Sequence, residues 1–296
     1  MRPNLRILVA EAFTRLPAEF RHLGPPSPWA SMTRPGKQMH SFLEGPVFAA
    51  DGSLWVADVP YGRIFRVHQD GDWDLAFSYD GEPHSLRPMP DGRFAVVDYS
   101  KGLLALDPDN GTLEVLAADD GREPFLGLSD VTVSDQGDIW FTDSGRSSLS
   151  DPRGRLYRRR PDGKVERVLE TIPYPNGLVI SPDGVLLYLA VTRANAVWRL
   201  KTEGAETPPM VGIYIQLSGG LGPDGLAITA DGFLALAQAQ AGRAFIFDPR
   251  GDAVTEIRTP DGLSTTSVAF DRNDNLVIVE ADSGSLYRVP LEQWKP

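Results

Sequence analysis

The sequence predicts an all-β protein built as a six-bladed β-propeller. A unit made of a polar residue, an apolar strand, a tight turn and further short strands recurs six times after His40. Internal repeats of roughly 40–50 residues that each hold several short strands are typical of propellers. No stretch after residue 40 has the pattern of a long amphipathic helix, which argues against an alternating β/α architecture.

The turns and strands of the six units align with one another. Asp-Gly pairs favour tight hairpins because glycine accepts a positive φ and aspartate bonds to the local backbone. The predicted turns are Asp51-Gly52, Asp91-Gly92, Asp135-Gln136-Gly137, Asp183-Gly184, Asp231-Gly232 and Asn273-Asp274-Asn275. The predicted second strands are Leu54–Ala57, Phe94–Val97, Ile139–Thr142, Leu186–Leu189, Leu234–Ala237 and Leu276–Val279. The predicted third strands include Gly62–Val67, Gly154–Arg158, Ala196–Leu200, Ala244–Phe247 and Ser285–Val289.

The first 38 residues do not follow this repeat. The segment Gly24-Pro25-Pro26-Ser27-Pro28 disfavours regular structure. We therefore predict an N-terminal extension over residues 1–38 that packs on the main domain, and a propeller over residues 39–296.

The composition limits the function classes. A net charge of −11 leaves no basic stripe for phosphates, so no nucleic-acid partner is expected. The absence of cysteine excludes disulfides, thiolate metal sites and cysteine nucleophiles. No apolar run reaches the ~18 residues of a membrane span, and the short apolar run that Glu11 interrupts makes a poor signal peptide. We expect a cytoplasmic protein that acts on a small molecule, and the oligomeric state stays open.

One polar residue in each unit precedes the turn by about seven residues, just ahead of the strand expected to line the axis. We call these the slot residues: Glu44, His84, Ser129, Asn176, Asp224 and Thr266. Because strands from all blades converge at a propeller axis, the slot residues are predicted to surround one site. Glycine follows Glu44, Asn176 and Asp224, and we expect it to let the backbone pass close to whatever the slot residue binds.

The slot residues include a candidate metal site. Oxygens of Glu44, Asn176 and Asp224 are hard ligands that suit Ca²⁺ or Mg²⁺, and less often Mn²⁺ or Zn²⁺. Two buried carboxylates without a counter-charge are costly, and a cation resolves that cost. Each residue alone is most simply a strand-start residue that caps backbone groups. The three in register, each followed by glycine, indicate a metal site.

The chain resembles the senescence marker protein, gluconolactonase and luciferin-regenerating enzyme family from about residue 38 to 289. The resemblance is carried by the motifs His40-Ser41-Phe42-Leu43-Glu44-Gly45-Pro46, Trp140-Phe141-Thr142-Asp143, Tyr174-Pro175-Asn176-Gly177-Leu178 and Gly222-Pro223-Asp224-Gly225-Leu226. It implies a six-bladed propeller that holds one divalent metal, commonly Ca²⁺, and mostly hydrolyses lactones of sugar acids. It also implies that Glu44, Asn176 and Asp224 bind this metal and that Asp224 serves as the acid/base.

Three positions depart from the family pattern. Ser129-Asp130 stands where the family usually places Asn before Asp, and Pro83-His84-Ser85-Leu86 stands where Pro-Asn-Gly-Leu is common. Gln238 occupies a position where His is common. These changes leave the three metal positions intact and alter the substrate side, where we place Ser129, Asp130, Arg146 and Gln238.

The hypothesis for the reaction is water attack on a lactone carbonyl that a metal polarises. Asp224, or Asp143 nearby, would take the proton of the water, and His84 is a further candidate. Bonding to loop backbone is the alternative for Asp143, because Asp58, Asp98 and Glu280 end second strands in the same way.

Several other readings stay open. Arg146 and Arg193 lie in loops where they could meet a substrate carboxylate, although a solvated loop explains each as well. Another ester or an organophosphate is an alternative substrate, because function lies in the site and not in the fold. A non-catalytic binding propeller is the alternative from another class. A Ser-His-Asp hydrolase is disfavoured because no Gly-x-Ser-x-Gly motif is present.

Overall fold

The computed structural model describes residues 5–204 and 208–295, so residues 1–4 of the predicted extension and residues 205–207 and 296 of the predicted propeller lie outside the described residues. Six sheets are arranged as the blades of a propeller, which confirms the predicted fold class. The predicted turns and second strands are present in all six blades.

Each blade takes its strands from one repeat, except that the N-terminal segment adds a strand to two of them. The blades are: β3 (Leu43–Phe48), β4 (Leu54–Asp58), β5 (Arg63–Val67) and β6 (Trp73–Ser78) in blade 1; β7 (Pro83–Pro88), β8 (Phe94–Asp98), β9 (Gly102–Asp107) and β10 (Thr112–Ala117) in blade 2; β11 (Leu128–Val133), β12 (Ile139–Asp143), β13 (Gly154–Arg159) and β14 (Val165–Ile172) in blade 3; β15 (Pro175–Ile180), β16 (Leu186–Val191), β17 (Ala196–Lys201) and β18 (Gly212–Gln216) in blade 4; β19 (Gly222–Ile228), β20 (Leu234–Ala239), β21 (Arg243–Phe247), β22 (Ala253–Arg258) and β1 (Arg6–Val9) in blade 5; β23 (Thr265–Phe270), β24 (Leu276–Glu280), β25 (Ser285–Val289) and β2 (Glu11–Arg15) in blade 6. The helices are α1 (Pro28–Thr33), α2 (Leu291–Trp294) and the short 3-10 helices Ala18–Phe20, Val59–Tyr61 and Thr192–Ala194.

The first strand of each blade lies innermost, and these strands contact one another around the axis. The ring closes between blades 6 and 1, where Thr266 Oγ1 donates a 2.9 Å hydrogen bond to Leu43 O. Hydrophobic clusters fill the space between neighbouring blades, as where Ile64 of blade 1 packs with Leu86 and Val96 of blade 2. The core is therefore a ring of layers around the axis and not one central cluster.

The predicted boundary between residues 38 and 39 is corrected by the pairing of the N-terminal strands. β2 pairs antiparallel with β25 and forms the outer strand of blade 6, so it belongs to the propeller. β1 pairs in parallel with β22 and adds a fifth strand to blade 5. The remainder of the segment does pack on the propeller, through α1. Ser27 Oγ caps this helix by accepting a 3.1 Å bond from Ala30 N, and Pro28 occupies its first position, where a missing N–H costs nothing.

No helix in the described part of the chain is both long and apolar enough to cross a membrane.

Candidate active site

All six slot residues line one cavity at the end of the axis where the inner strands begin, as the sequence predicts. The cavity has a volume of about 240 Å³. Side chains from all six blades therefore face one enclosed space: Glu44, His84, Ser129, Asn176, Asp224 and Thr266.

A break in strand register at each slot explains how these side chains reach the cavity. In all six blades the pairing between the first and second strands shifts by a bulge at or directly after the slot residue. A bulge leaves residues unpaired and re-aims their side chains. The sequence signal for it is the polar residue at the start of an apolar strand.

Gly45, Gly177 and Gly225, which follow three slot residues, allow close packing of strands and not the predicted close approach of the backbone to a ligand. A Cβ on Gly177 would clash with the carbonyl oxygen of Asp224, and a Cβ on Gly225 would clash with Ser267 in blade 6. Gly45, at φ 56°, faces the backbone of Ser85 in blade 2 in the same way. These glycines allow neighbouring inner strands to approach closely, and they do not open space beside a ligand.

Glu44, Asn176 and Asp224 form the acidic part of the cavity. Asn176 Nδ2 donates a 2.6 Å hydrogen bond to Asp224 Oδ1. Within the described ranges, the Glu44 carboxylate accepts no hydrogen bond, and no Lys or Arg lies within 4 Å of Glu44 or Asp224. Burial, followed by the nearby charges of Asp224 and Asp130, raises the pKa of Glu44 well above its usual range. Burial and Asp130 likewise raise the pKa of Asp224.

His84 lies in an aromatic part of the cavity. Its ring centroid is 5.6 Å from that of Trp29 and 5.7 Å from that of Tyr99. Burial lowers the pKa of His84 to about 4, so its imidazole is neutral at pH 7. Its Nε2 atom is buried and has no hydrogen-bond partner among the described residues. A neutral imidazole of this kind is better suited to hydrogen bonding with a ligand than to acting as a general base.

The structure places three of the predicted site residues away from the cavity. Asp143, predicted as a catalytic base, is fully buried and accepts backbone hydrogen bonds from Leu126 and Gly127 at 2.8–3.0 Å. Asp143 therefore binds loop backbone, which was the alternative to its predicted role as a catalytic base. Asp58, Asp98 and Glu280 accept backbone hydrogen bonds in equivalent positions. We remove Asp143 from the catalytic group.

Asp130 and Gln238 are the other two corrections, since neither lines the cavity. Asp130 is instead directed at the neighbouring inner strands of blades 2 and 4. Its carboxylate accepts hydrogen bonds from the backbone of Val131 and Leu178 and lies 4.0 Å from Arg87. Gln238 is fully buried, where it bonds to Ser218 O and Gly219 O and accepts a 2.6 Å bond from Arg243.

Ser129 and Arg146 do line the cavity, as predicted for the substrate side. The Ser129 hydroxyl lies 2.5 Å from that of Ser144, without a His or carboxylate to activate it among its described hydrogen-bond partners. Arg146 is exposed at the cavity mouth and donates a 3.3 Å hydrogen bond to Met32 O. Arg193 lies at the same mouth.

The helix α1 and Arg34 just after it cover part of the cavity; the sequence placed the N-terminal segment on the main domain and left open whether it reaches the cavity. Trp29, Met32 and Arg34 contribute to the lining. Trp29 packs against Phe42 with ring centroids 5.2 Å apart, and Arg34 contacts Ser264 Oγ at 3.0 Å and the Asp282 carboxylate at 3.6 Å. The one available signal was the Ser27-Pro28 pair, which is a common helix start.

The oxygen atoms of the slot site are possible ligands of a metal ion. Within residues 5–204 and 208–295, no three His, Cys, Asp or Glu side chains are placed so that they could hold a metal ion. The slot site instead offers two carboxylates and one amide, and amide oxygens are ordinary ligands of hard cations. A carboxylate pair with no positive partner in the described residues is the environment that a divalent cation neutralises. The residues present therefore fit a hard divalent cation, provided that the Asn176 amide turns its oxygen inward.

A six-bladed propeller with an acidic axial cavity defines the class of this protein. The family model described as SMP-30/Gluconolactonase/LRE-like region matches residues 42–282. The chain belongs to this family, which confirms the resemblance found in the sequence.

Individual relatives are distant. A Staphylococcus aureus protein named lactonase drp35 is 28% identical over 280 residues, which cover 88% of this chain and 84% of the relative. A gluconolactonase structure from Xanthomonas campestris is similar with a TM-score of 0.74, 22% identity and coverage of 84% and 86% of the two chains. A regucalcin structure from Agrobacterium tumefaciens, described as calcium-binding, gives a TM-score of 0.75, 21% identity and coverage of 96% and 95%. Both structural likenesses concern the fold alone.

Proposed function

We propose that this protein is a divalent-metal-dependent hydrolase that opens lactones of sugar acids or related compounds, with Ca²⁺ as the preferred ion. The observation that carries the proposal is the Glu44–Asn176–Asp224 group, two carboxylates without a positive partner in the described residues, at the axial cavity. Lactonases and a gluconolactonase among the relatives support the lactone, and the calcium-binding regucalcin supports the ion.

The cavity also carries polar atoms ready for a ligand. His84 Nε2 and Thr265 Oγ1 are both buried and lack hydrogen-bond partners among the described residues. Leaving such groups unpaired costs about 1–3 kcal/mol each, so a bound substrate or ordered water that pairs with them is favoured. Both residues line the cavity beside the acidic group.

The residues of the chain have separate roles in the proposed reaction. Glu44, Asn176 and Asp224 would hold a cation that acts as a Lewis acid towards the lactone carbonyl. Asp224 would accept the proton of the attacking water with the carboxylate oxygen that does not hold the cation. The carbonyl carbon gains the water oxygen, the ring C–O bond breaks, and the ring oxygen leaves as a hydroxyl with the proton that Asp224 took from the water. Neutral His84 and the Ser129 hydroxyl orient the substrate through hydrogen bonds.

The test follows hydrolysis of a panel of sugar lactones by proton release. Wild-type protein is stripped with a chelator and reloaded with Ca²⁺, Mg²⁺, Mn²⁺ or Zn²⁺, beside Glu44→Gln and Asp224→Asn. We expect activity only after reloading, and a loss of about 100-fold or more in both variants. Exposed residues provide matched controls: Asp80→Asn and Glu292→Gln make the same charge changes outside the cavity and should retain activity.

Two outcomes would contradict the proposal. Full activity of chelated protein, or of both variants, would refute metal dependence at this site. Metal-dependent hydrolysis of aryl esters or organophosphates, with no lactone turned over, would retain the site and replace the substrate class.

A further inference from the structure

Two arginines at the cavity mouth indicate what kind of lactone the site accepts. Arg146 follows β12 in blade 3 and Arg193 follows β16 in blade 4, so they lie on adjacent blades. Both line the cavity and both are exposed to solvent. The mouth is thus cationic, whereas the slot site holds two carboxylates.

Neither arginine is neutralised by an acid in the described part of the chain. No described carboxylate lies within 4 Å of either guanidinium, whereas Arg34, the third arginine of the cavity lining, lies 3.6 Å from Asp282. Arg146 makes one hydrogen bond, to Met32 O, and Arg193 stacks over the Tyr174 ring at 5.6 Å. A guanidinium has five N–H donors, so most donors of both side chains are available to a ligand.

The backbone holds both residues in place. Arg146 has a φ of 55°, a left-handed conformation that is uncommon for residues other than glycine and often marks functional sites. Its turn is fixed by a 2.8 Å hydrogen bond from Ser147 N to Ser144 O. Arg193 belongs to the 3-10 helix Thr192–Ala194, whose first residue donates a 3.0 Å bond to Tyr174 O. Two guanidinium groups held on adjacent blades can bind a planar carboxylate with several charge-assisted hydrogen bonds.

We propose that Arg146 and Arg193 form an anion subsite, and that the substrate is a lactone that carries a carboxylate outside its ring. The inference rests on the proposed lactone hydrolysis. With the proposed cation bound, the charges of Glu44 and Asp224 are neutralised, and the two arginines are the positive charges at the mouth that attract a carboxylate of the substrate. The carboxylate therefore faces outward and the ring carbonyl faces the slot residues, which fixes the orientation of the substrate.

The test compares two lactones of equal ring size, one with a carboxylate on the ring and one with a hydroxymethyl group at that position. Metal-loaded wild-type protein should have the higher kcat/KM for the carboxylate lactone. In the double variant Arg146→Gln/Arg193→Gln, kcat/KM for the carboxylate lactone should fall about 10- to 100-fold because KM rises. The kcat/KM for the neutral lactone should change less than about twofold. Arg199→Gln is the matched control, since Arg199 stacks on Tyr214 at 5.3 Å, away from the cavity, and should change neither.

The outcomes separate this inference from the proposed function. Equal turnover of both lactones by wild-type protein, or equal effects of the double variant on both, would overturn the anion subsite and leave lactone hydrolysis intact. Turnover of neither lactone by metal-loaded protein would overturn both.

Discussion

Asn176 Nδ2 donates a 2.6 Å hydrogen bond to Asp224 Oδ1, which joins the inner strands of blades 4 and 5 at the axis. The same amide donates to Thr192 Oγ1 at 3.3 Å, and that hydroxyl donates to Pro223 O at 2.7 Å. Two of the three proposed ligands are therefore positioned by the protein itself. A cation requires the amide oxygen, so the amide must turn over when the site is filled.

Replacement of this amide should weaken the binding of the proposed metal. In Asn176→Ala the site loses one ligand oxygen and Asp224 loses its hydrogen bond, so we expect Ca²⁺ affinity to fall about 10- to 100-fold. Isothermal titration calorimetry measures this. Asn110→Ala is the control, because Asn110 makes the same kind of bond, to Asp107 at 2.7 Å, in an exposed turn. Unchanged Ca²⁺ affinity in Asn176→Ala would show that the amide is not a ligand.

Removal of one acidic charge should stabilise the metal-free protein. Glu44 is close to Asp224 and Asp130, and burial with these charges raises its pKa, so ionisation of Glu44 destabilises the folded state. We expect Glu44→Gln to increase the free energy of unfolding by about 1–3 kcal/mol at pH 8 in chelator, measured by urea denaturation. Ca²⁺ should raise the Tm of wild-type protein and not that of Glu44→Gln. A less stable Glu44→Gln protein would contradict this account.

His84 should make stability depend on pH in the acid range. Burial lowers its folded pKa to about 4, below the ~6.5 of an unfolded histidine, so the unfolded state binds a proton first as the pH falls. This contribution is fully present above pH 6.5 and is lost between pH 6.5 and about 4, with a size of about 3 kcal/mol. The Tm of wild-type protein should therefore decline over this range more steeply than that of His84→Gln. Equal slopes in the two proteins would contradict this account.

The glycines of the inner strands should not tolerate a side chain. A Cβ at Gly177 would meet the Asp224 carbonyl, so Gly177→Ala should destabilise the protein by at least about 2 kcal/mol and weaken metal binding by displacing Asp224. Gly212→Ala is the control, because nothing lies within 4 Å of the added Cβ. Thermal unfolding and calorimetry check both effects; equal stability of the two variants would refute the close packing of blades 4 and 5.

The sequence predicted the ring of slot residues because its signal is local. A polar residue such as Asp224, a short apolar strand and an Asp-Gly turn repeat in register, and the fold brings the repeats together. The prediction for Asp130 was wrong, because it came from the family pattern around Ser129-Asp130, which does not specify that the Asp130 carboxylate bonds to the backbone of Val131 and Leu178. Asp143 was ambiguous in sequence, because an acid at a strand end serves equally well as a base or as an acceptor for loop backbone.

The role of the N-terminal segment could not be predicted. The pairing of β2 with β25 joins residues at opposite ends of the chain, such as Glu11 and Arg288, and no local pattern specifies so distant a partner. The contact between α1 and the cavity depends on packing of Trp29 against Phe42 and His84. Such contacts follow from the assembled ring of blades and are not present in any one repeat.

Crystals grown with Mn²⁺ test the proposed metal site through anomalous scattering. We expect one strong anomalous peak in the axial cavity, bonded to oxygens of Glu44, Asn176 and Asp224, with the Asn176–Asp224 hydrogen bond broken. No peak in the cavity at saturating Mn²⁺, or a peak elsewhere with that hydrogen bond retained, would contradict the account.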